Sequence, residues 1–257
     1  MSATEGVGKA IQAEGSSSGG HLPPVDQDPA ALGLAERYAP LIFFDRREPF
    51  LPVVVGYAIF TADGYSPSFP RCIGLTPVGR KPAQLAIEYE IWWDWDISHL
   101  YELEHIWVYA DEDEVVGVEG SWHGGYFPWK PGREVILAGE HPVLYSEPGK
   151  HAFLPKADWF EGYQEMVLRS CGPQAGRGGL LVASIFESEL APFKTAEADA
   201  LIAEYLRHRA FEPTFVFDRP FTITRDMLIP WPALRDWIPK RVKWCLEQLR
   251  LPRGERC

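Results

Sequence analysis

The chain has 257 residues, 46% hydrophobic and 24% charged, enough for a sizeable core without a disulfide staple. Its 25 Lys and Arg stand against 36 Asp and Glu, a net charge of −11, which disfavours a nucleic-acid partner and suits a metal ion, a cationic ligand or a neutral substrate. Cys72, Cys171, Cys245 and Cys257 lack C-x-x-C spacing and read as reduced thiols. No apolar run reaches bilayer length and no basic-then-apolar leader opens the chain, so a cytoplasmic location is expected.

Residues 1–28 read as a flexible tail, with Ser16-Ser17-Ser18-Gly19-Gly20 as linker chemistry. Asp28-Pro29 then supplies an N-cap and a first-turn proline for a short helix that Pro40 ends. Leu41-Ile-Phe-Phe44 and Val53-Val-Val55 are short strand signals. Gln84 to Asp96 alternates strictly: Glu88, Glu90, Trp92, Asp94 and Asp96 on even positions, Leu85, Ile87, Tyr89, Ile91, Trp93 and Trp95 on odd ones. Period two predicts a strand with one apolar face and one solvated acidic face. Glu102 to Tyr109 alternates again before the acidic turn Asp111-Glu-Asp-Glu114. Val115 to Val118, His141 to Tyr145, Phe215 to Phe217 and Phe221 to Ile223 are further strand candidates, and Cys171 to Gly179 is a Gly-rich loop. Helical spacing appears at Ala198, Leu201, Ile202, Tyr205 and Leu206, and after Pro239 at Val242, Cys245, Leu246 and Leu249. The whole predicts one α+β domain over 29–257, an antiparallel β-sandwich core with peripheral helices and a C-terminal amphipathic helix.

Five of the seven histidines lie between 99 and 151. The densest chemistry is Asp94-Trp-Asp96-Ile-Ser-His99-Leu-Tyr-Glu102-Leu-Glu104-His105. On a strand, Glu102 and Glu104 share one face about 7 Å apart, and two such anions repel unless a cation or a proton intervenes. With His99 in the preceding turn and Asp96 or Asp94 closing the strand before it, the set forms an O/N site for a hard divalent cation. His105 is out of phase and belongs to the opposite face. His123, in Ser121-Trp-His123-Gly-Gly125, supplies a further ligand or a general base. His141 and His151 read as outer groups or strand-end polar residues. Trp122, Tyr101 and Asp94 are the candidates for contact with substrate.

These segments resemble a known superfamily. Ser98-His-Leu-Tyr-Glu-Leu-Glu104 is similar to the G-H-R-H-D-W-E heptapeptide of the necrosis- and ethylene-inducing peptide-like (NLP, NPP1) proteins, and Ser121-x-His123-Gly124 to the S-x-H-G element that follows it. His141-Pro-Val-Leu-Tyr145, Gly149-x-His151-Ala152, Tyr38-Ala-Pro40 and Glu48-Pro-Phe-Leu-Pro52 resemble segments of the related Vps62-like chains, including their G-S-H-A stretch. The resemblance spans about 36–155 and implies a β-sandwich holding a divalent cation in an acidic, His-containing cavity. His99, Glu102 and Glu104 match the heptapeptide's first His, its Asp and its Glu, His123 matches the later cavity histidine, and Asp96 or Asp94 is nearest to an upstream Asp. Ser98, Leu100, Tyr101, Glu102 and Leu103 depart from the heptapeptide. The membrane damage caused by secreted NLP proteins is not carried over.

The residues support a metal-dependent enzyme, a candidate hydrolase or related metalloenzyme, acting on a small molecule, glycan or lipid head. Metal would bind at Asp96, His99, Glu102 and Glu104, with His123 as the proton-transfer group. A non-catalytic module bridging to a glycan or lipid head through the cation is the alternative, and a cation that only locks the 94–105 turn is a third reading. Mg²⁺, Mn²⁺, Ca²⁺, Fe²⁺ and Zn²⁺ all suit this donor set.

Overall fold

The computed structural model describes residues 20, 22, 25–76 and 81–251, so the expected tail lies largely outside the described residues. After α1 (Pro29–Arg37) come β1 (Leu41–Phe44), β2 (Val54–Phe60), the hairpin β3 (Gly64–Tyr65) and β4 (Cys72–Ile73), and the long β5 (Leu85–Trp95) and β6 (His99–Asp111). Then follow β7 (Glu114–Trp122), β8 (Gly125–Trp129), β9 (Ile136–Ala138), β10 (His141–Ser146) and β11 (Phe153–Leu154). The last third holds α2 (Gln164–Cys171), β12 (Gly179–Leu180), α3 (Glu187–Leu190), α4 (Ala196–Arg207), β13 (Arg219–Thr222), β14 (Leu228–Pro230) and α5 (Trp231–Arg250).

A seven-stranded sheet runs β14-β2-β5-β6-β7-β8, with β12 added on β6. A five-stranded sheet runs β11-β10-β1-β13, with β9 on β10. Most pairs are antiparallel, as the short turns require. Three are parallel (β1–β10, β12–β6 and β14–β2), because each joins strands far apart in sequence. The two sheets pack face to face. Trp93 of β5 meets Phe44 of β1 edge-on at 6.5 Å and Phe153 of β11 at 6.3 Å. The fold is thus α+β with a sandwich core.

The odd face of β5 packs into that core as its alternation predicts. The even face is not solvated: Glu88 and Glu90 are both fully buried. A second layer covers it. The β3–β4 hairpin brings Ser66 and Ser68, whose hydroxyls each donate to Glu88 Oε1 at 2.6 Å. Helix α5 lies over the rest, so closely that a Cβ on Gly56 would stand 2.7 Å from Leu234 Cδ2 and 2.8 Å from Glu90 Oε2. Strand alternation reports two faces but not what lies on either, so an acidic stripe reads the same whether water or a helix covers it.

Two other expectations are corrected. Helix α5 begins at Trp231 and carries Pro239 inside it instead of starting beyond it. An interior proline costs about 3 kcal/mol. The apolar stripe Trp231, Leu234, Trp237, Ile238, Val242, Cys245, Leu246 and Leu249 is buried on both sides of it, and each such side chain contributes about 1.5–3 kcal/mol. Phe215 to Phe217 is not a strand: Phe215 has φ +54° and Val216 O accepts a single bond from Arg46 N at 2.9 Å, while Phe217 packs on Phe160. At the first helix the reading holds, with Asp28 Oδ1 accepting from Ala30 N at 3.0 Å. Cys72, Cys171 and Cys245 are free thiols, and Cys257 lies outside the described residues.

The loop after β10 is fixed by buried polar contacts. Glu48 Oε2 accepts from Gly149 N at 2.7 Å, and Glu48 Oε1 lies 3.3 Å from His151 Nε2. The His151 ring stacks on Trp93 at 4.5 Å, nearly parallel. Gly149 has φ +70°, and a Cβ there would stand 2.9 Å from both Cys171 Sγ and Ile97 Cγ2.

Two measurements check these points. Gly149→Ala combines a left-handed φ, about 1–2 kcal/mol, with overpacking, about 1–3 kcal/mol, so urea denaturation should show a loss of roughly 2–5 kcal/mol. Burial, then the neighbouring Glu88, pushes the Glu90 carboxyl well above its usual range. The folded state therefore keeps a proton that the unfolded chain releases above about pH 4.5, and stability falls as pH rises. Against Glu90→Gln, urea denaturation of the natural chain should show stability falling as pH rises above about 4.5 and levelling off once the folded carboxyl ionises.

Candidate metal centre

The centre forms where β5 turns into β6. Asp96 N donates to His99 O at 3.1 Å, and Asp96 Oδ1 accepts from Ser98 N at 2.5 Å. Two other loops pin this turn: Ile97 N donates to Gly149 O at 2.8 Å, Gly176 N to Ile97 O at 2.9 Å and Gly178 N to Ser98 O at 2.7 Å. The Gly-rich loop is thus a buttress of the centre.

Asp96, His99 and Glu102 converge, each offering one donor atom within 4.8 Å of the others. His99 Nε2 lies 3.6 Å from Asp96 Oδ1 and 3.6 Å from Glu102 Oε2. Its Nδ1 donates to the Tyr101 carbonyl at 2.8 Å, so Nε2 is the ring nitrogen that faces the two carboxylates. Tyr101 sits at φ +58°, a left-handed kink within β6 that accompanies this hydrogen bond.

A fourth group stands among them. Lys150 Nζ is 2.6 Å from Asp96 Oδ2, 3.3 Å from Ser98 Oγ and 3.4 Å from His99 Nε2. Burial acts to raise the Asp96 carboxyl, but the fields of His99, Lys150 and His151 overturn it and hold the group down at about 2. The donor chemistry fits a divalent cation, and the seat such an ion would take is next to the ammonium.

Glu104 shares the face of Glu102 but does not join the group. It is buried, and its carboxyl is hydrogen-bonded to Ser121 Oγ, which also accepts from His105 N at 2.6 Å. Burial first, then the charges of Glu102 and Glu147, push the Glu104 carboxyl well above the carboxylate range, while the Ser121 hydrogen bond acts the other way. His123 is paired through Nε2 to Glu147 Oε2 at 2.8 Å. That hydrogen bond raises the His123 pKa against the opposing effect of burial, and the ring lies within the fields of Lys150 and Glu102.

Other candidates lie elsewhere. Asp94 is held by Arg241 of α5, whose Nε and second guanidinium nitrogen donate at 2.9 and 2.8 Å. Tyr101 is core: its ring stacks on Trp92 at 4.7 Å and its hydroxyl accepts from Ala183 N at 3.3 Å. Trp122 packs on Tyr163 at 4.9 Å and meets His123 edge-on at 5.0 Å. His141 donates through Nδ1 to Ala39 O at 2.8 Å. His105 is on the opposite face, its Nε2 3.0 Å from Ser68 Oγ, and burial pushes its pKa down to about 3.

A cleft of about 440 Å³ opens beside the centre. Ser66 to Pro70 form one wall, Leu181 and Ala183 to Phe186 the other, and Tyr101 to His105 the floor. Lys150 and Glu147 are the participants that sequence reasoning missed. Their signal was position: they flank Gly149 in the segment resembling G-S-H-A, where a lysine replaces the serine.

No family model matches this chain, and no curated protein does. Solved structures similar to it include a triple mutant of NLPPya, 19% identical over 51% of this chain and 70% of that one, with a TM-score of 0.35. Another is necrosis and ethylene inducing protein 2 from the causal agent of cocoa's witches' broom disease, 16% identical over 67% of this chain and 93% of that one, with a TM-score of 0.33. The chain resembles these NLP structures, and the resemblance assigns no residue.

Proposed function

We propose that this protein is a divalent-cation-dependent enzyme, with the ion held by Asp96, His99 and Glu102 and a small-molecule, glycan or lipid-head substrate admitted through the adjoining cleft. The observation that supports this most directly is the convergence of those three side chains, with His99 Nε2 facing both carboxylates. When bound, such a cation polarises a carbonyl or phosphoryl oxygen and makes a water more acidic. The chain's own residues do the rest. Glu147, fully buried, holds His123 in one orientation through Nε2 and leaves Nδ1 to move a proton. Glu104, whose carboxyl is pushed upward by burial, lies at the cleft floor within reach of the same substrate. Ser66, Ser68 and Phe69 offer a mixed polar and aromatic wall to the substrate. Hydrolysis is the reaction class these groups suit.

A second reading is cation-dependent binding without turnover. It is favoured by the aromatic rim at Trp122, where Tyr163 and Trp159 are 38% and 41% exposed and offer flat apolar surface to a sugar or lipid head.

Elemental analysis of chelator-free protein should find one divalent ion per chain, lost in His99→Ala/Glu102→Ala. The loaded protein should turn over one of a panel of p-nitrophenyl esters, phosphodiesters and glycosides, with His123→Gln slowed about 10²–10⁴-fold. Cation-dependent retention on a glycan or lipid-head array without turnover would replace the enzyme with the binding module. Absence of any bound ion after loading would overturn both.

The His123–Glu147 pair has its own pH signature. Because the folded-state pKa is raised, the pair's stabilisation is present in full below about pH 6.5 and is lost as pH rises through the folded value. Comparing thermal unfolding of the natural chain and His123→Gln across that range should show the difference shrinking toward alkaline pH.

A further inference from the structure

The Lys150 ammonium has a place that no motif or comparison accounts for. Its side chain is only 15% exposed, and the carboxylate it touches is fully buried. It is bound from three sides, by Asp96, Ser98 and His99, and lies in the fields of Glu102 and Glu147 as well. Its backbone is equally constrained. Lys150 N donates to Glu147 O at 3.2 Å, Gly149 N is taken by Glu48, and Gly149 O accepts from Ile97 N in the turn that carries Asp96. The lysine therefore enters the centre from a loop that cannot retreat, on a four-carbon stem that can rotate.

We propose that Lys150 is a tethered cation that fills the Asp96–His99–Glu102 centre, and that a divalent ion enters only by displacing it. This inference rests on the cation site proposed above and concerns how that site is controlled. A divalent ion on these donors would sit about 2–2.6 Å from its oxygen ligands. Lys150 Nζ already stands 2.6 Å from Asp96 Oδ2 and 3.4 Å from His99 Nε2. Two cations cannot share donors at that range in a largely water-free site, where their repulsion is weakly screened. Filling is thus mutually exclusive. The apparent affinity for the ion is reduced by the fraction of molecules in which the ammonium holds the site. The same arrangement explains how Asp96 stays ionised and fully buried before any ion arrives. On displacement the ammonium loses its partners and becomes available to solvent, which gives a readout independent of turnover.

Two measurements on the full chain test this. Mn²⁺ titration by calorimetry should show Lys150→Met binding at least tenfold more tightly than the natural protein. In the natural protein alone, acylation of Lys150 by an acetyl succinimidyl ester, followed by mass spectrometry, should speed up at least fivefold when Mn²⁺ is added. This second measurement decides the matter should Lys150→Met fail to fold. Mn²⁺ binding by Lys150→Met alone would support the ammonium as occupant of the centre while overturning the cation-dependent reading of the natural chain. Equal Mn²⁺ affinity in both proteins with unchanged acylation would overturn the displacement and leave the cation site standing. No Mn²⁺ binding to either protein would overturn the cation site and the displacement with it.

Discussion

Asp96 is wholly out of water, and a carboxylate there is destabilising by several kcal/mol unless a counter-charge is buried with it. Lys150 is that counter-charge, at 2.6 Å. Much of the surrounding structure serves to keep the two together. Glu48 fixes the loop that carries the lysine, His151 stacks on Trp93 to hold the same loop against the core, and the Gly-rich segment donates two backbone N–H groups to the turn that carries the aspartate. The centre is therefore assembled by three loops from distant parts of the chain. Backbone hydrogen bonds hold it, and the lysine enters it on a four-carbon stem.

The acidic positions of β5 show how far surroundings decide the chemistry of a carboxyl group. Glu88, Glu90 and Asp94 share one strand face, and Asp96 follows where the strand ends. Glu88 accepts two serine hydroxyls from the hairpin above it. Glu90, fully buried beside Glu88, has its carboxyl pushed well above the usual range. Asp94 pairs with a guanidinium from the same helix. Asp96, one step past the strand, meets an ammonium and an imidazole instead, and stays ionised. The same contrast recurs on β6, where Glu102 joins the centre while Glu104, two residues on and on the same face, is pushed well above the carboxylate range by burial and then by its acidic neighbours.

The sequence alone determined the elements that depend on local pattern. Period-two alternation located β5 and β6, the Asp28-Pro29 pair located the start of α1, and helical spacing located α4, because each pattern is imposed by backbone geometry over a few residues. It also brought Asp96, His99 and Glu102 together, since a tight turn between paired strands places such neighbours side by side whatever the rest of the chain does. Tertiary structure decided what covers each face. The acidic face of β5 is buried because α5 and the β3–β4 hairpin, remote in sequence, pack on it. Helix α5 runs through Pro239 because its apolar stripe is buried on both sides of that residue. Lys150 reaches Asp96, and Glu147 reaches His123, across more than twenty residues of intervening chain. Local rules act over one turn of helix or one strand pair, whereas charge pairing and burial act through space, and only the folded chain sets those distances.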